Sequence, residues 1–185
     1  MGDKYLLHPE INAAKRISKT TRSVLCHGHG GAGMDTTCGD EQFETQYDEC
    51  VKRFYAAAAG QGHWSEACTA LARLVGVWCL QITGLDNRTG AVRFSWDGGS
   101  APTQAWLDYF TCYHRVNPRV PYGLELKVGS WQHDQEILPA QVIAEDPFFK
   151  DFLVPYGGRY CSPTKLLEDD EIFVIVAAIA HRDRP

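Results

Sequence analysis

Residues 75–96, VGVWCLQITGLDNRTGAVRFSW, hold two apolar runs around a polar turn containing Asp86, Asn87 and Gly90, the pattern of a β-hairpin. Upstream, FETQYDECVKRFYAAAA repeats apolar side chains at three- and four-residue spacings (Tyr47, Cys50, Val51, Phe54, Tyr55, Ala58) until Gly60 and Gly62 stop the period, which predicts a helix. A second helix is predicted from His63 to about Leu74, with Trp64, Ala67, Cys68, Leu71 and Leu74 on its apolar side and His63 as a surface or capping group. Helix, helix and hairpin open an α+β domain with a central antiparallel sheet flanked by helices.

Downstream of a DGGSAP linker at 97–102, TQAWLDYFTCYHRV places Trp106, Tyr109, Phe110 and Tyr113 at helical spacing and closes at Asn117-Pro118, because the residue before proline leaves the helical region. LELKVGSW (124–131) reads as a short strand. Residues 133–157 then hold one or two short helices broken at Pro139, Pro147 and Pro155, with Phe148, Phe149 and Phe152 or Leu153 directed inward. YCSPTKLL and EIFVIVAAIA follow as two strands around the acidic turn Glu168 to Glu171. FVIVAAIA is apolar at every position, as in a strand covered on both faces. A covered strand that runs into HRDRP is expected to be followed by more chain in the natural protein.

The 185 residues carry a formal net charge of -5 with 44% hydrophobic side chains, enough to fill one core without disulfide or metal clamps. An acidic balance excludes duplex binding by this segment alone, since that needs local positive charge. The N-terminus has basic residues but no apolar run of signal-peptide length, so a cytoplasmic protein without membrane attachment is expected. Seven cysteines, most in core-like contexts, fit reduced buried thiols better than a disulfide framework.

Residues 1–40 read as an arm or linker, partly flexible, and 41–185 as the folded domain. Cys26, His27, His29 and Cys38 in the glycine-rich part of that arm are borderline-to-soft ligands, but their spacing is not that of a zinc finger. No metal and no cofactor is expected, and a metal or redox sensor built on the arm is the alternative. The same glycines lack the Lys-Ser/Thr pair of a phosphate loop. Catalytic groups do not assemble: an enzyme would need His133 and Asp134 to converge with Cys112 or Cys161, and the sequence has no G-x-S-x-G, H-E-x-x-H or C-x-x-C. No catalytic residue is assigned, and a non-enzyme is expected. More informative is the aromatic density from Trp96 to Trp131, which includes Trp106, Tyr109, Phe110, Tyr113 and Tyr122. Such residues line pockets for small apolar or aromatic ligands, or else fill a crowded core. Asp134, close to Trp131 in sequence, is the candidate polar anchor of such a pocket.

From about Tyr47 to Arg182 the chain resembles the N-terminal sensory domain of LuxR-type helix-turn-helix transcriptional regulators, a GAF-like or PAS-like module. The resemblance rests on FYAAAAG and the following GQGHWSEACTALARLVG, on the hairpin, on WLDYFTCYHRVNPRVPYG, on DPFFKDFLVPYGGRY and on the last apolar strand. Asn117 stands where the family usually has Asp before Pro118, and no helix-turn-helix is present. The resemblance implies a small-molecule effector bound between sheet and helices, a homodimer, and DNA contact only through a domain outside this chain. It places the ligand-binding positions at Trp106, Tyr109, Tyr113, Trp131 and Asp134, with Phe149 and Phe152 on the far wall.

Overall fold

The structure, a computed structural model, describes residues 36–183 and the side chains of 41–183. Cys26, His27 and His29 lie outside the described residues, whereas Cys38 falls in the first turn of helix α1, Thr36–Ala58. A boundary between two units of the chain falls inside this helix, between Glu44 and Thr45, and the sheet with its covering helices belongs to the second unit.

Helix α2 (Trp64–Val75) follows, and then strands β1 (Cys79–Asp86) and β2 (Val92–Gly99) form the expected hairpin. Asp86 builds its turn: the carboxylate accepts the Arg88 and Thr89 backbone N–H groups at 3.0 and 2.9 Å and pairs with Arg93, and Gly90 takes the positive φ of 69° that the turn requires. Helix α3 (Thr103–Thr111), a 3₁₀ turn (Tyr113–Val116), helix α4 (Val120–Glu125), short helices α5 (Asp134–Ile137) and α6 (Ala140–Glu145), a π-helical turn (Phe148–Leu153) and α7 (Val154–Tyr156) precede β3 (Gly158–Glu168) and β4 (Ile172–His181). All pairings are antiparallel, in the order β2-β1-β4-β3.

The all-apolar β4 is therefore central, and it feeds two cores. On one face Leu80, Ile82 and Val176 pack with Cys68 and Ala72 of α2, flanked by Phe54, Trp64, Phe94 and Trp96. Trp64 stacks on Trp96 at 4.5 Å and Phe94 stacks on Trp96 at 4.3 Å. On the other face Cys79, Cys161 and Ile179 meet Trp78, Ala105, Leu138, Ile143, Phe148, Phe149, Phe152 and Leu153. The sheet is thus a shared wall, and its period-2 alternation decides which core each side chain enters.

Three expectations change. Residues 124–131 are not a strand: Pro121 in the first turn of α4 carries the helix to Glu125. Gly129, at φ 78°, then turns the segment, so that only Val128 and Trp131 bridge to β3, at Lys165 and Thr164. Pro155 breaks nothing, because it sits in the first turn of α7, where a missing N–H is tolerated. Tyr55, assigned to the apolar side of α1, is 51% exposed, and that side is carried by Cys50 and Ala57.

Candidate functional site

The α3 face of the sheet carries the residues of interest. Along β1 and β2, Gln81 pairs with Asp97 and Thr83 with Ser95, while on the other side of β1 Gln81 pairs with Ala177 and Thr83 with Ile175. Strand alternation therefore turns Gln81, Thr83, Ser95 and Asp97 toward the side on which α3 and α4 lie, and all four are half-buried. Gln81 Nε2 donates to Ser95 Oγ at 3.0 Å, and Ser95 Oγ shares a 3.3 Å hydrogen bond with Thr83 Oγ1. Burial raises the pKa of the Asp97 carboxyl, and the opposing pull comes from the Trp106 indole N–H. That N–H is shielded from solvent and makes no hydrogen bond of ordinary geometry, so a donor and a carboxylate lie side by side with neither fully used.

Helix α3 is held by hydrogen bonds to the segments that follow it. The Tyr156 hydroxyl donates to Asp108 Oδ2 at 2.5 Å, which lowers the Asp108 pKa. Asn117 Nδ2 donates to the Tyr109 hydroxyl at 3.2 Å, and Asn117 Oδ1 accepts the Arg119 backbone N–H at 3.1 Å. Asn117 thereby fixes the exit of the 3₁₀ turn and the Tyr109 ring together.

Of the residues singled out in the sequence, Trp106, Tyr109, Tyr113, Phe149 and Phe152 join one aromatic cluster. Phe152 stacks on Tyr113 at 4.4 Å and on Tyr109 at 6.1 Å. Phe149 and Phe152 are buried, whereas Trp106, Tyr109 and Tyr113 are half-buried. Trp131 lies apart, against the outer edge of β3 opposite Thr164. Asp134 is fully buried, and its carboxylate is taken up within the protein. Arg119 Nε donates to both oxygens at 2.9 Å, Arg119 Nη2 donates to Oδ2 at 2.7 Å, and the Cys161 backbone N–H donates to Oδ2 at 2.8 Å. Arg119 in turn lies 5.0 and 4.9 Å from the ring centroids of Phe148 and Phe149. This bidentate pair ties the start of α4 to the start of α5, and the Cys161 N–H and the Arg159 carbonyl join it to β3.

Sequence reasoning missed Asp97, because DGGSAP reads as a linker. The strand runs on through it to Gly99, and the signal was the alternation Arg93, Ser95, Asp97 against Phe94, Trp96. The nucleophile candidates do not form a catalytic group. Burial pushes the Cys161 thiol up to about 12, and Asp134 meets the backbone of that residue, not its sulfur. His133 Nδ1 lies 2.7 Å from Ser162 Oγ, and Cys112 is exposed on its own at the end of α3. Among the described residues no group of His, Cys, Asp and Glu has the arrangement of a metal site, and no helix is long and apolar enough to cross a membrane.

This is an α+β fold with a central antiparallel sheet flanked by helices. Among solved structures the chain is similar to the N-acylhomoserine lactone dependent LuxR family transcription factor CepR2 from Burkholderia cenocepacia, with a TM-score of 0.54 and 13% sequence identity over 77% of this chain and 80% of that one. At this identity the likeness is one of fold. No family model and no curated protein matches the chain.

Proposed function

We propose that the chain is a small-molecule-sensing regulatory domain of a LuxR-type transcription regulator, acting in the cytoplasm as a homodimer and reaching DNA through a domain outside this chain. The observation that carries the reading is the α3 face of the sheet: a half-buried polar row that ends at Trp106, whose ring joins the aromatic cluster that also holds Tyr109 and Tyr113, in a fold shared with a lactone-dependent regulator. Binding sites combine aromatic walls with a few convergent polar groups, and the row combines Gln81, Thr83, Ser95 and Asp97 on the side where Trp106 lies. Regulation follows by population shift, with the effector favouring one packing of α3 and α4 on the sheet and hence one dimer arrangement. The protein binds and does not catalyse, and it needs no metal or cofactor.

Native mass spectrometry beside thermal unfolding tests this. The expected result is a dimer that retains or takes up an organic molecule of a few hundred daltons, with an unfolding temperature that rises with effector concentration, the stabilisation reaching about 2.7 kcal/mol at a hundredfold excess over Kd. N-octanoyl-homoserine lactone, chosen as a representative N-acylhomoserine lactone, is the first compound to add, because the regulator of similar fold is N-acylhomoserine lactone dependent. A bare monomer that no small molecule stabilises would remove the sensor reading.

A further inference from the structure

The two edges of the sheet are finished differently. Along β3 the outer edge is occupied. The Lys165 and Pro163 carbonyls accept the Gly129 and Gln132 N–H groups at 2.8 and 3.1 Å, the Cys161 N–H donates to Asp134 Oδ2 at 2.8 Å, and the Arg159 carbonyl accepts Arg119 Nη2 at 3.2 Å. The outer edge of β2 is open. On β1 the odd-numbered positions bond β4, a pattern that Asn87 continues by donating to the Glu171 carbonyl at 2.9 Å, so Leu80, Ile82 and Gly84 bond β2 at Gly98, Trp96 and Phe94. The N–H and C=O groups of Arg93, Ser95 and Asp97 therefore point away from β1, as does the Gly99 N–H, which reaches Thr69 Oγ1 at 3.2 Å. Among the described residues, no other backbone group meets those of Arg93, Ser95 and Asp97 on that side.

An open strand edge is a template for a further strand, and this one is complementary to itself. When two copies pair antiparallel with Ser95 opposite the partner's Ser95, the outward positions coincide and each such pair exchanges both of its hydrogen bonds. Arg93 then lies opposite the partner's Asp97, Asp97 opposite the partner's Arg93, and Phe94 opposite the partner's Trp96. Moving the register by two residues sets Asp97 opposite Ala91 or Ser95 and Arg93 opposite Ser95 or Gly99, and meets neither charge. Both charges are available. The Arg93 side chain is 57% exposed and its Nη1 takes no part in the pair with Asp86, while Asp97 has no ion pair among the described residues. We propose that the open edge of β2 joins a second copy of this chain, making one continuous antiparallel sheet across a dimer with Ser95 at its two-fold axis. The proposal rests on the homodimer of the sensor reading and gives it an interface. The rise of the Asp97 pKa through burial agrees, because the partner's Arg93 supplies the cation that the chain itself does not.

The test joins sedimentation velocity of the full chain, over a range of concentrations, to amide hydrogen exchange resolved to single residues. The expected species is a dimer of twice 20.7 kDa. Its Arg93, Ser95 and Asp97 amides should exchange at least about tenfold more slowly than in the dilute monomer, while those of Phe94 and Trp96, bonded to β1, change little. Asp97→Lys sets like charges opposite each other at both ends of the pairing and should weaken the dimer at least about tenfold, whereas Asp97→Glu should keep it. Circular dichroism reports that each variant is folded, and exchange in the wild type decides the matter where Asp97→Lys does not fold. A monomer at every concentration, a dimer whose three amides exchange as fast as in the monomer, or a dimer that a folded Asp97→Lys leaves intact overturns the proposal. Slow exchange of those amides in a monomer assigns the edge to residues 1–35 of the same chain and overturns it too. A dimer with a fast-exchanging edge leaves the sensor reading standing, and a monomer that takes up no small molecule removes both.

Discussion

The two faces of one sheet are built to opposite standards. Toward α2, Leu80, Ile82 and Val176 meet Cys68 and Ala72, and β2 runs so close to the helix that a Cβ placed on Gly98 would lie 2.6 Å from the Ser65 carbonyl oxygen. Toward α3 the same strands present Gln81, Thr83, Ser95 and Asp97, none of them fully buried. Alternation along a strand lets adjacent residues serve these two ends: Trp96 completes the stack with Trp64 while Asp97 points to the other side. The first face gains its stability from apolar burial and close packing. The second holds a packed core too, of Cys79, Cys161, Ile179 and the π-helical phenylalanines, and departs from apolar packing along the polar row.

The comparison breaks most visibly at Arg119, whose ion pair with the fully buried Asp134 lies on the α3 side. Arg119→Met leaves the Asp134 carboxylate fully buried without its counter-charge and is expected to cost about 3–5 kcal/mol in urea unfolding. Pairing it with Asp134→Leu should recover most of that loss. A single variant near wild-type stability would show that the pair contributes little. A smaller effect is expected on the α2 face, where Gly98→Ala forces β2 and α2 apart and should cost about 1–3 kcal/mol. Thr83→Val, a nearly isosteric change on the α3 face, should cost less than about 1 kcal/mol. Equal losses at the two positions would erase the distinction between the faces.

The α2 face was legible in the sequence because it obeys simple periods. Cys68 and Leu71 follow the helical spacing, the hairpin turn is spelled out by Asp86, Asn87 and Gly90, and the unbroken apolar run of β4 announces a strand with a core on each side. The aromatic cluster of α3 and the π-helical turn was legible too, since Tyr109, Tyr113, Phe149 and Phe152 lie at spacings that bring rings together. Two things were not. Asp134 looked like a free acceptor because its partner Arg119 lies 15 residues away, and sequence does not show which distant cation closes on a buried acid. Asp97 was hidden by the glycines after it, which mark a loop by composition but here permit the approach of α2 to a continuing strand.

Asp97 itself yields the smallest effect and the most telling one. Its folded pKa is raised above the ordinary 3.8, chiefly by burial, so folding favours the protonated carboxyl and the carboxylate weighs against the folded state. That penalty is absent below about pH 3.8, grows as the pH rises through the raised value, and is complete at neutral pH. Asp97→Asn removes it. The variant should therefore resist urea slightly better than the wild type at pH 7, and the two should converge as the pH approaches 3.8. Water still reaches the half-buried carboxylate and keeps the gain small. The variant would then be the more stable one, as expected of a group that does not serve folding. If Asp97→Asn were instead less stable at pH 7, the Trp106 indole N–H would be satisfying the carboxylate from within, and the polar row would be part of the packing.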